Sequence, residues 1–196
     1  MQNKINTKTP YPHIRKAFGA YQTNCYIIKT PKGELIIDPG IGSSKWVLEN
    51  VQNPLAILIT HGHFDHIWCN AELRKTLNVP IYCPKGDAFM LKSDCFDLGL
   101  TPCAADFEVE PNEIFRFGDI AVEFMHFAGH TPGCSMIKIS ESNSSLARPS
   151  REFEKSAFDR QSVLSQADFS AQPTNLAQDT RIANDSKNDS SLRGAR

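Results

Sequence analysis

The spacing of apolar residues divides the first 140 residues into short strands and helices. The segments NCYIIKT and ELIID are rich in β-branched residues and flank a Pro-Lys-Gly turn, so they predict a hairpin that ends at Asp38-Pro39-Gly40. Ser43 or Ser44 then begins a predicted helix that runs to about Val51. The continuous apolar run PLAILIT after this helix is typical of a strand that is buried on both faces.

The remaining apolar segments of this region continue the alternation. A helix is predicted from Ile67 to Leu77, a short strand at VPIYC and another helical stretch at KGDAFMLKS. Three strands follow, EIFRF, IAVEFMHF and CSMIKIS, and Gly-containing turns join them. Strands that alternate with helices predict an α/β fold in which helices cover at least one face of a mixed sheet.

The composition of the chain changes after residue 140. Residues 141–196 contain 11 serines, eight acidic and eight basic side chains, and only isolated large apolar residues. Such a segment buries too little apolar surface to offset its chain entropy. We therefore expect a folded domain over residues 1–140 and a polar tail over 141–196 that is disordered or unrelated to the domain, with a weak amphipathic helix near 152–169.

The overall composition excludes several kinds of partner. The 21 Lys+Arg and 22 Asp+Glu residues leave a net charge of −1, which provides no basic field for nucleic acid. No apolar run approaches the roughly 20 residues that cross a bilayer, and the opening residues carry no signal-peptide pattern. The 6 cysteines contain no C-x-x-C pair and are expected to be small buried hydrophobes in a reducing compartment. We expect a cytoplasmic protein with neither a nucleic-acid nor a membrane partner.

The candidate chemistry is concentrated in the segment His61-Gly62-His63-Phe64-Asp65-His66. Four side chains that can bind a metal lie within six residues, at the point where a buried strand ends and a helix begins. In an extended loop, His61, His63 and Asp65 would share one side of the chain while His66 faces a neighbouring position. This arrangement suits two adjacent metal sites.

A second histidine motif, Gly129-His130-Thr131-Pro132-Gly133, follows a predicted strand. His130 supplies the third imidazole that a three-histidine zinc site needs, which leaves one coordination position for water. His126 is interpreted as a strand side chain or an outer hydrogen-bond donor, and His13 as a solvated surface residue.

Together these motifs resemble the metallo-β-lactamase superfamily. The segment HGHFDH is preceded by LIIDPG at 35–40 and followed by GHTPG at 129–133, and the resemblance extends from about Phe18 to Ser140. Within the superfamily, the small glyoxalase II-like hydrolases are the most similar group. The resemblance implies a four-layer αββα sandwich with a dinuclear metal site that commonly holds zinc; iron and manganese are the other candidates.

The resemblance also implies a role for each motif residue. His61, His63 and His130 match the ligands of the first metal, and Asp65 and His66 match ligands of the second. Asp65 further matches the catalytic group that orients a water molecule or accepts its proton. Asp38 matches an acidic residue that supports the site.

The sequence departs from the family pattern after the GHTPG motif. The family continues with a strand that ends in Gly-Asp, whose aspartate bridges both metals, and later provides another histidine. Here no Gly-Asp follows residue 119 and no histidine follows His130, while Asp159 and Asp168 lie in a different context. We therefore expect the second half of the fold and the second metal site to be incomplete, through a truncation, a frameshift or an insertion.

The function implied is hydrolysis of a small-molecule thioester, such as an acylated glutathione, by a zinc-activated water, with activity impaired by the missing ligands. One alternative is a mononuclear iron oxidoreductase that resembles persulfide dioxygenases, and the other is an inactive metal-binding fragment. The sequence gives no indication of the oligomeric state.

Overall fold

The computed structural model describes residues 11–142 and the backbone of 151–152. These residues form ten strands, four α-helices and one 3-10 turn. In chain order they are β1 His13–Phe18, β2 Thr23–Thr30, β3 Gly33–Ile37, α1 Ser44–Asn50, β4 Pro54–Leu58, α2 Phe64–Ile67, α3 Asn70–Leu77, β5 Ile81–Pro84, the 3-10 turn Lys85–Asp87, α4 Ala88–Lys92, β6 Phe107–Val109, β7 Ile114–Phe117, β8 Ile120–His126, β9 Ser135–Glu141 and β10 Arg151–Glu152.

The larger sheet has six strands in the order β1-β2-β3-β4-β5-β6. The strands β1, β2 and β3 pair antiparallel, whereas β3, β4, β5 and β6 run parallel to one another. Because parallel strands end at the same edge, the segments that follow β3, β4 and β5 all emerge on one side of the sheet. This edge carries the candidate chemistry.

The smaller sheet has the order β10-β7-β8-β9. The strands β7, β8 and β9 form an antiparallel meander, and β10 pairs in parallel with β7. The loop between β8 and β9 contains His130. The backbone N–H of Ser135 donates to Thr60 O at 2.9 Å, which fixes the beginning of β9 to the segment that follows β4.

Two hydrophobic cores separate the layers. The first lies between the helices and one face of the larger sheet, where Trp46 and Leu73 pack with Ile27, Ile36 and Ile57. The second lies between the sheets and joins a further set of buried side chains, among them Leu35, Leu58, Tyr82, Phe115 and Phe124. Successive residues of β3 face opposite cores, as the two-residue period of a strand requires. Residues 11–142 thus supply three of the four expected layers, helix, sheet and sheet, and contain no helix on the outer face of the smaller sheet.

Most predicted elements are present, and the differences are local. The hairpin is confirmed, with Thr30 opposite Gly33. The single helix predicted from Ile67 to Leu77 is two helices, because the backbone N–H of Cys69 donates to Pro39 O at 3.0 Å instead of continuing the helical pattern. Ser43 precedes α1, but its side chain makes no capping hydrogen bond. The strands β1, β6 and β10 were not predicted.

The strand β9 ends one residue beyond the predicted boundary at residue 140, and the smaller sheet extends past that boundary through β10. β9 ends at Glu141, and the N–H of Ser142 donates to Asp119 O at 2.7 Å. The pairing of β10 with β7 adds two residues from the segment predicted as a tail. The weak helix predicted near 152–169 falls, apart from its first residue, outside the described residues.

Two further sequence expectations concern burial. Cys25, Cys69 and Cys83 are buried as predicted, whereas Cys95 is exposed. No helix in the described part of the chain combines the length and the apolarity that crossing a bilayer requires.

Candidate metal centre

The candidate ligands meet at the edge where the parallel strands end. His61 and His63 lie in the extended segment after β4, and His130 lies in the loop between β8 and β9. The helix α2 begins at Phe64, so Asp65 and His66 lie in its first turn and not in the extended loop that the sequence predicted. The helical turn places Asp65 and His66 beside the three other histidines, and the ring of His66 lies 4.0 Å from the ring of His61.

Three imidazoles form the centre of the site. One ring nitrogen each from His61, His63 and His130 can be chosen so that all three lie within 4.8 Å of one another. His61 is buried, His63 is half-buried and His130 is exposed. The cluster therefore opens to solvent on the side of His130.

Asp38 and Thr60 determine which nitrogen of His61 faces the cluster. Asp38 is only 4% exposed and accepts hydrogen bonds from Thr60 N at 2.8 Å and Thr60 Oγ1 at 2.6 Å. Because the Thr60 hydroxyl proton is directed to Asp38, its oxygen accepts the hydrogen bond from His61 Nδ1, 3.1 Å away. His61 Nε2 then carries the free lone pair, and this buried atom has no hydrogen-bond partner within residues 11–142.

The same carboxylate orients His66. Nδ1 of His66 lies 3.0 Å from Asp38 Oδ2 and donates to it, so Nε2 carries the lone pair. This Nε2 atom lies 3.5 Å from Oδ2 of Asp65, which accepts a short hydrogen bond from the Thr23 hydroxyl. Asp65 and His66 thus form a second pair of possible ligands next to the three imidazoles.

The lowered pKa values of His61 and His63 favour metal binding, whereas the raised pKa of His66 opposes it. Burial, followed by the nearby charge of His66, lowers the pKa of His61 to about 4. Burial and His130 lower the pKa of His63. Burial also disfavours the protonated form of His66, but the hydrogen bond and charge of Asp38 outweigh this effect and raise its pKa. At neutral pH His61 and His63 are neutral, as ligation requires.

These residues fit a divalent metal on two grounds. The buried Nε2 of His61 has no partner among the described residues, and an unsatisfied buried nitrogen is costly unless a ligand such as a metal occupies it. Three imidazoles are also a donor set that zinc accepts with a fourth position open. Iron and manganese remain compatible with imidazole and carboxylate donors.

The other two histidines stand outside the cluster. His126 is the last residue of β8 and is exposed, in agreement with its interpretation as a strand side chain. His13 is half-buried in β1 and, with Tyr26 and Asp38, lines a cavity of about 410 Å³. His13 is therefore less solvated than the sequence predicted, because β1 pairs with β2 and places the imidazole 6.4 Å from the Tyr26 ring.

One site residue was missed. Asp87 is fully buried and accepts hydrogen bonds from both histidine loops, at Gly62, Thr131 and Gly133. Within the predicted helix KGDAFMLKS nothing distinguished this aspartate from a solvated one. The sequence feature that could have identified Asp87 as a site residue is its position just beyond the carboxyl end of a buried parallel strand, where functional residues commonly lie.

An aromatic wall stands beside the cluster. The ring of Phe96 lies 6.1 Å from His63 and 5.5 Å from Phe64, and Phe64 contacts Tyr21 at 5.4 Å. Tyr21 is 68% exposed, so the wall continues into solvent. An organic group held at the cluster would find apolar surface here.

Comparison with known proteins agrees with this architecture. An uncharacterized protein of Aquifex aeolicus is 34% identical over 125 residues, and hydroxyacylglutathione hydrolase GloC of Haemophilus influenzae is 30% identical over 127 residues. These alignments cover 59% and 58% of this chain, and the chain spans 59% of the length of each relative. The crystal structure of BLEG-1 B3 metallo-beta-lactamase matches with a TM-score of 0.56 and 28% identity, over 64% of this chain and 66% of that one.

The family match covers most of the described residues. The Metallo-beta-lactamase superfamily profile matches residues 18–143, which include both histidine loops and the strands β2 to β9. The mixed α/β fold, the histidine cluster and this match lead to one conclusion: the chain belongs to the metallo-beta-lactamase superfamily.

Proposed function

We propose that this protein is a metal-dependent hydrolase of small-molecule thioesters, of the acyl-glutathione type, that works in the cytoplasm. The observation that carries the proposal is the group of three imidazole nitrogens within 4.8 Å, with Asp65 beside it. The name of GloC, a hydroxyacylglutathione hydrolase at 30% identity, supports the choice of substrate class. The aromatic wall adds an apolar surface for the acyl group.

The proposed ligands of the first metal are His61, His63 and His130. When bound, zinc supplies Lewis acidity at the substrate carbonyl and lowers the pKa of a water molecule toward about 7. Asp65 would be the catalytic residue, whose carboxylate would orient the attacking water and accept its proton. The Thr23 hydroxyl donates to Asp65 and fixes the direction of the carboxylate. Asp38 acts through Thr60 and His66, by holding the imidazoles in one tautomer.

The second metal position is the weaker one. Asp65 and His66 are its two proposed ligands among residues 11–142, and the 196-residue sequence contains no histidine after His130. Two monodentate ligands hold a cation poorly, so the second position stays largely empty at micromolar metal. The charge stabilisation that a second cation gives to the transition state is then lost.

Thiol release from an acyl-glutathione tests the proposal. The 196-residue chain is refolded with zinc and compared with the variants His130→Ala, Asp65→Asn and His126→Ala. We expect zinc-dependent hydrolysis that His130→Ala and Asp65→Asn abolish and that His126→Ala retains, because His126 lies outside the cluster. Hydrolysis that persists in His130→Ala would contradict the proposal.

The magnitude of the activity is tested by restoring the missing ligands. We expect the chain to hydrolyse the substrate several powers of ten more slowly than a chimera whose residues after 142 are replaced by a complete family ending, since second-metal stabilisation and substrate positioning each contribute several kcal/mol. Equal rates of hydrolysis by the chain and the chimera would show that the residues after 142 already supply the ligands and substrate contacts of a complete family ending. Bound iron without hydrolysis would favour the oxidoreductase alternative.

A further inference from the structure

Asp87 joins the two loops that carry the three clustered histidines. Its Oδ2 atom accepts hydrogen bonds from the backbone N–H of Gly62 at 3.0 Å and from the Thr131 hydroxyl at 2.6 Å. Its Oδ1 atom accepts from the backbone N–H of Gly133 at 2.7 Å. Gly62 lies between His61 and His63, and Thr131 directly follows His130. One carboxylate therefore fixes both loops.

The hydrogen bonds of Asp87 are directed away from its own helix. An aspartate at the residue before a helix commonly accepts from the first free N–H groups of that helix. Asp87 occupies this position before α4 but makes no such capping bond. Both of its oxygens accept hydrogen bonds from the histidine loops instead. Helix capping therefore does not explain why an aspartate is buried at this position.

The glycines around Asp87 allow the loops to approach it closely. A Cβ atom at Gly133 would lie 2.8 Å from Cγ of Asp87, and one at Gly62 would lie 2.9 Å from its backbone oxygen. Contacts this short require the backbone to shift. The glycines of both histidine motifs are thus fitted to the same aspartate.

We propose that Asp87 is a positioning residue of the metal centre, which sets the separation of His63 and His130 and balances the charge of the bound cation. This inference rests on the proposed metal site. A ligand separation fixed by the protein lowers the reorganisation that binding requires and so raises metal affinity.

The burial of Asp87 supports the charge-balancing part of the proposal. The side chain is 0% exposed, and no ion pair joins it to a Lys or Arg within residues 11–142. A buried carboxylate without a cation is costly even when it is hydrogen-bonded. A divalent cation held by the adjacent imidazoles offsets that cost.

The test measures metal affinity and ligand geometry in the full 196-residue chain. Zinc affinity is obtained by competition with a chromophoric chelator, and ligand geometry from the visible spectrum of the cobalt-loaded protein. Asp87→Asn removes the negative charge. It also replaces one accepting oxygen by an NH₂ group, which cannot accept a hydrogen bond from the N–H and O–H donors of the histidine loops. We expect zinc binding to weaken by at least about tenfold and the cobalt bands to change.

Asp106→Asn is the matched control. Asp106 is another largely buried carboxylate, which accepts from Ile81 N at 2.9 Å and pairs with Arg74 away from the histidines. We expect this variant to melt at a lower temperature and to keep wild-type zinc affinity and cobalt spectrum. If Asp87→Asn also keeps both while its melting temperature falls, Asp87 is merely structural and the proposal is overturned.

A second pair of variants applies if Asp87→Asn does not fold. Thr131→Val removes one of the three hydrogen bonds, and Thr131→Ser retains the hydroxyl. We expect Thr131→Val to weaken zinc binding several-fold and Thr131→Ser to restore it. Equal affinity in these two variants overturns the positioning role. A wild-type chain that takes up no zinc overturns the metal site itself, and this inference with it.

Discussion

Asp38 and His66 are 28 residues apart in the sequence, yet Nδ1 of His66 lies 3.0 Å from Oδ2 of Asp38. The carboxylate follows β3 and the imidazole lies in the first turn of α2, so the contact connects the sheet to the helix that carries two proposed ligands. The backbone of Asp38 has φ 50°, a left-handed conformation that aspartate and asparagine tolerate better than most residues.

Replacing Asp38 should therefore change the titration of His66 while preserving the backbone. In Asp38→Asn, His66 loses its hydrogen bond to a charged carboxylate. The charge of Asp38 then no longer opposes the effect of burial, which lowers the pKa of His66. We expect the pKa of His66 to fall below its wild-type value in the metal-free protein. NMR titration of the imidazole protons measures it, with Asp106→Asn as the control; an unchanged His66 pKa in Asp38→Asn would refute the assignment.

Metal content provides a second prediction. The three-imidazole cluster should hold about one zinc per chain after refolding and dialysis, as measured by elemental analysis. His63→Ala should remove most of this zinc because it deletes a central ligand. His126→Ala should retain it, since His126 is exposed and outside the cluster. Zinc contents that are the same in both variants would show that the cluster is not the binding site.

The stability of the metal-free protein should decrease in mild acid. The pKa of His61 is about 4 in the folded chain, below the ordinary 6.5, so between these values the unfolded chain binds more protons. The free energy of unfolding should fall, by on the order of 2 kcal/mol from His61, as the pH decreases through this window. The lowered pKa of His63 acts in the same direction, and the raised pKa of His66 opposes both.

Urea unfolding at several pH values separates the contribution of His61 from that of the carboxylates. His61→Gln should flatten the dependence between pH 6.5 and 4, whereas His126→Gln, a change at an exposed histidine, should leave it as in the wild type. A wild-type slope in His61→Gln would mean that His61 is not buried in the neutral form.

Limited proteolysis addresses the domain boundary. Residues 143–196 are polar and serine-rich and lack a continuous apolar face, so we expect the first cuts to fall there. Mass spectrometry should then detect a resistant fragment that ends near Glu141, the last residue of β9. Strong protection of residues 142–150 would contradict the prediction.

The elements with strong apolar patterns could be predicted from the sequence. β2, β3, β4 and β8 each contain runs of buried aliphatic residues, and their positions follow from those runs. β1 was not predicted because three of its six residues are polar or charged and three are exposed. β6 has only three residues, which is too few for a period to be recognised.

The sequence predicted which histidines would come together, but not the contacts that hold them. His61, His63 and His130 were identified because histidines at such spacing have few structural explanations. The relay from Asp38 through Thr60 to His61 depends on β3 and β4 lying side by side, which a local pattern does not contain. Asp87 was missed for the same reason, since its partners are 25, 44 and 46 residues away.

The parallel pairing of β3, β4 and β5 also bears on the order of events during refolding. The strands of a parallel pair are separated by a long chain segment, and bringing them together costs chain entropy before any hydrogen bond between them forms. Such non-local pairing slows folding. The three clustered histidines converge only after β4 has joined the larger sheet and the β8–β9 loop has met it. Metal uptake followed over time in a stopped-flow mixer should therefore lag behind helix formation and report the moment at which the two sheets dock.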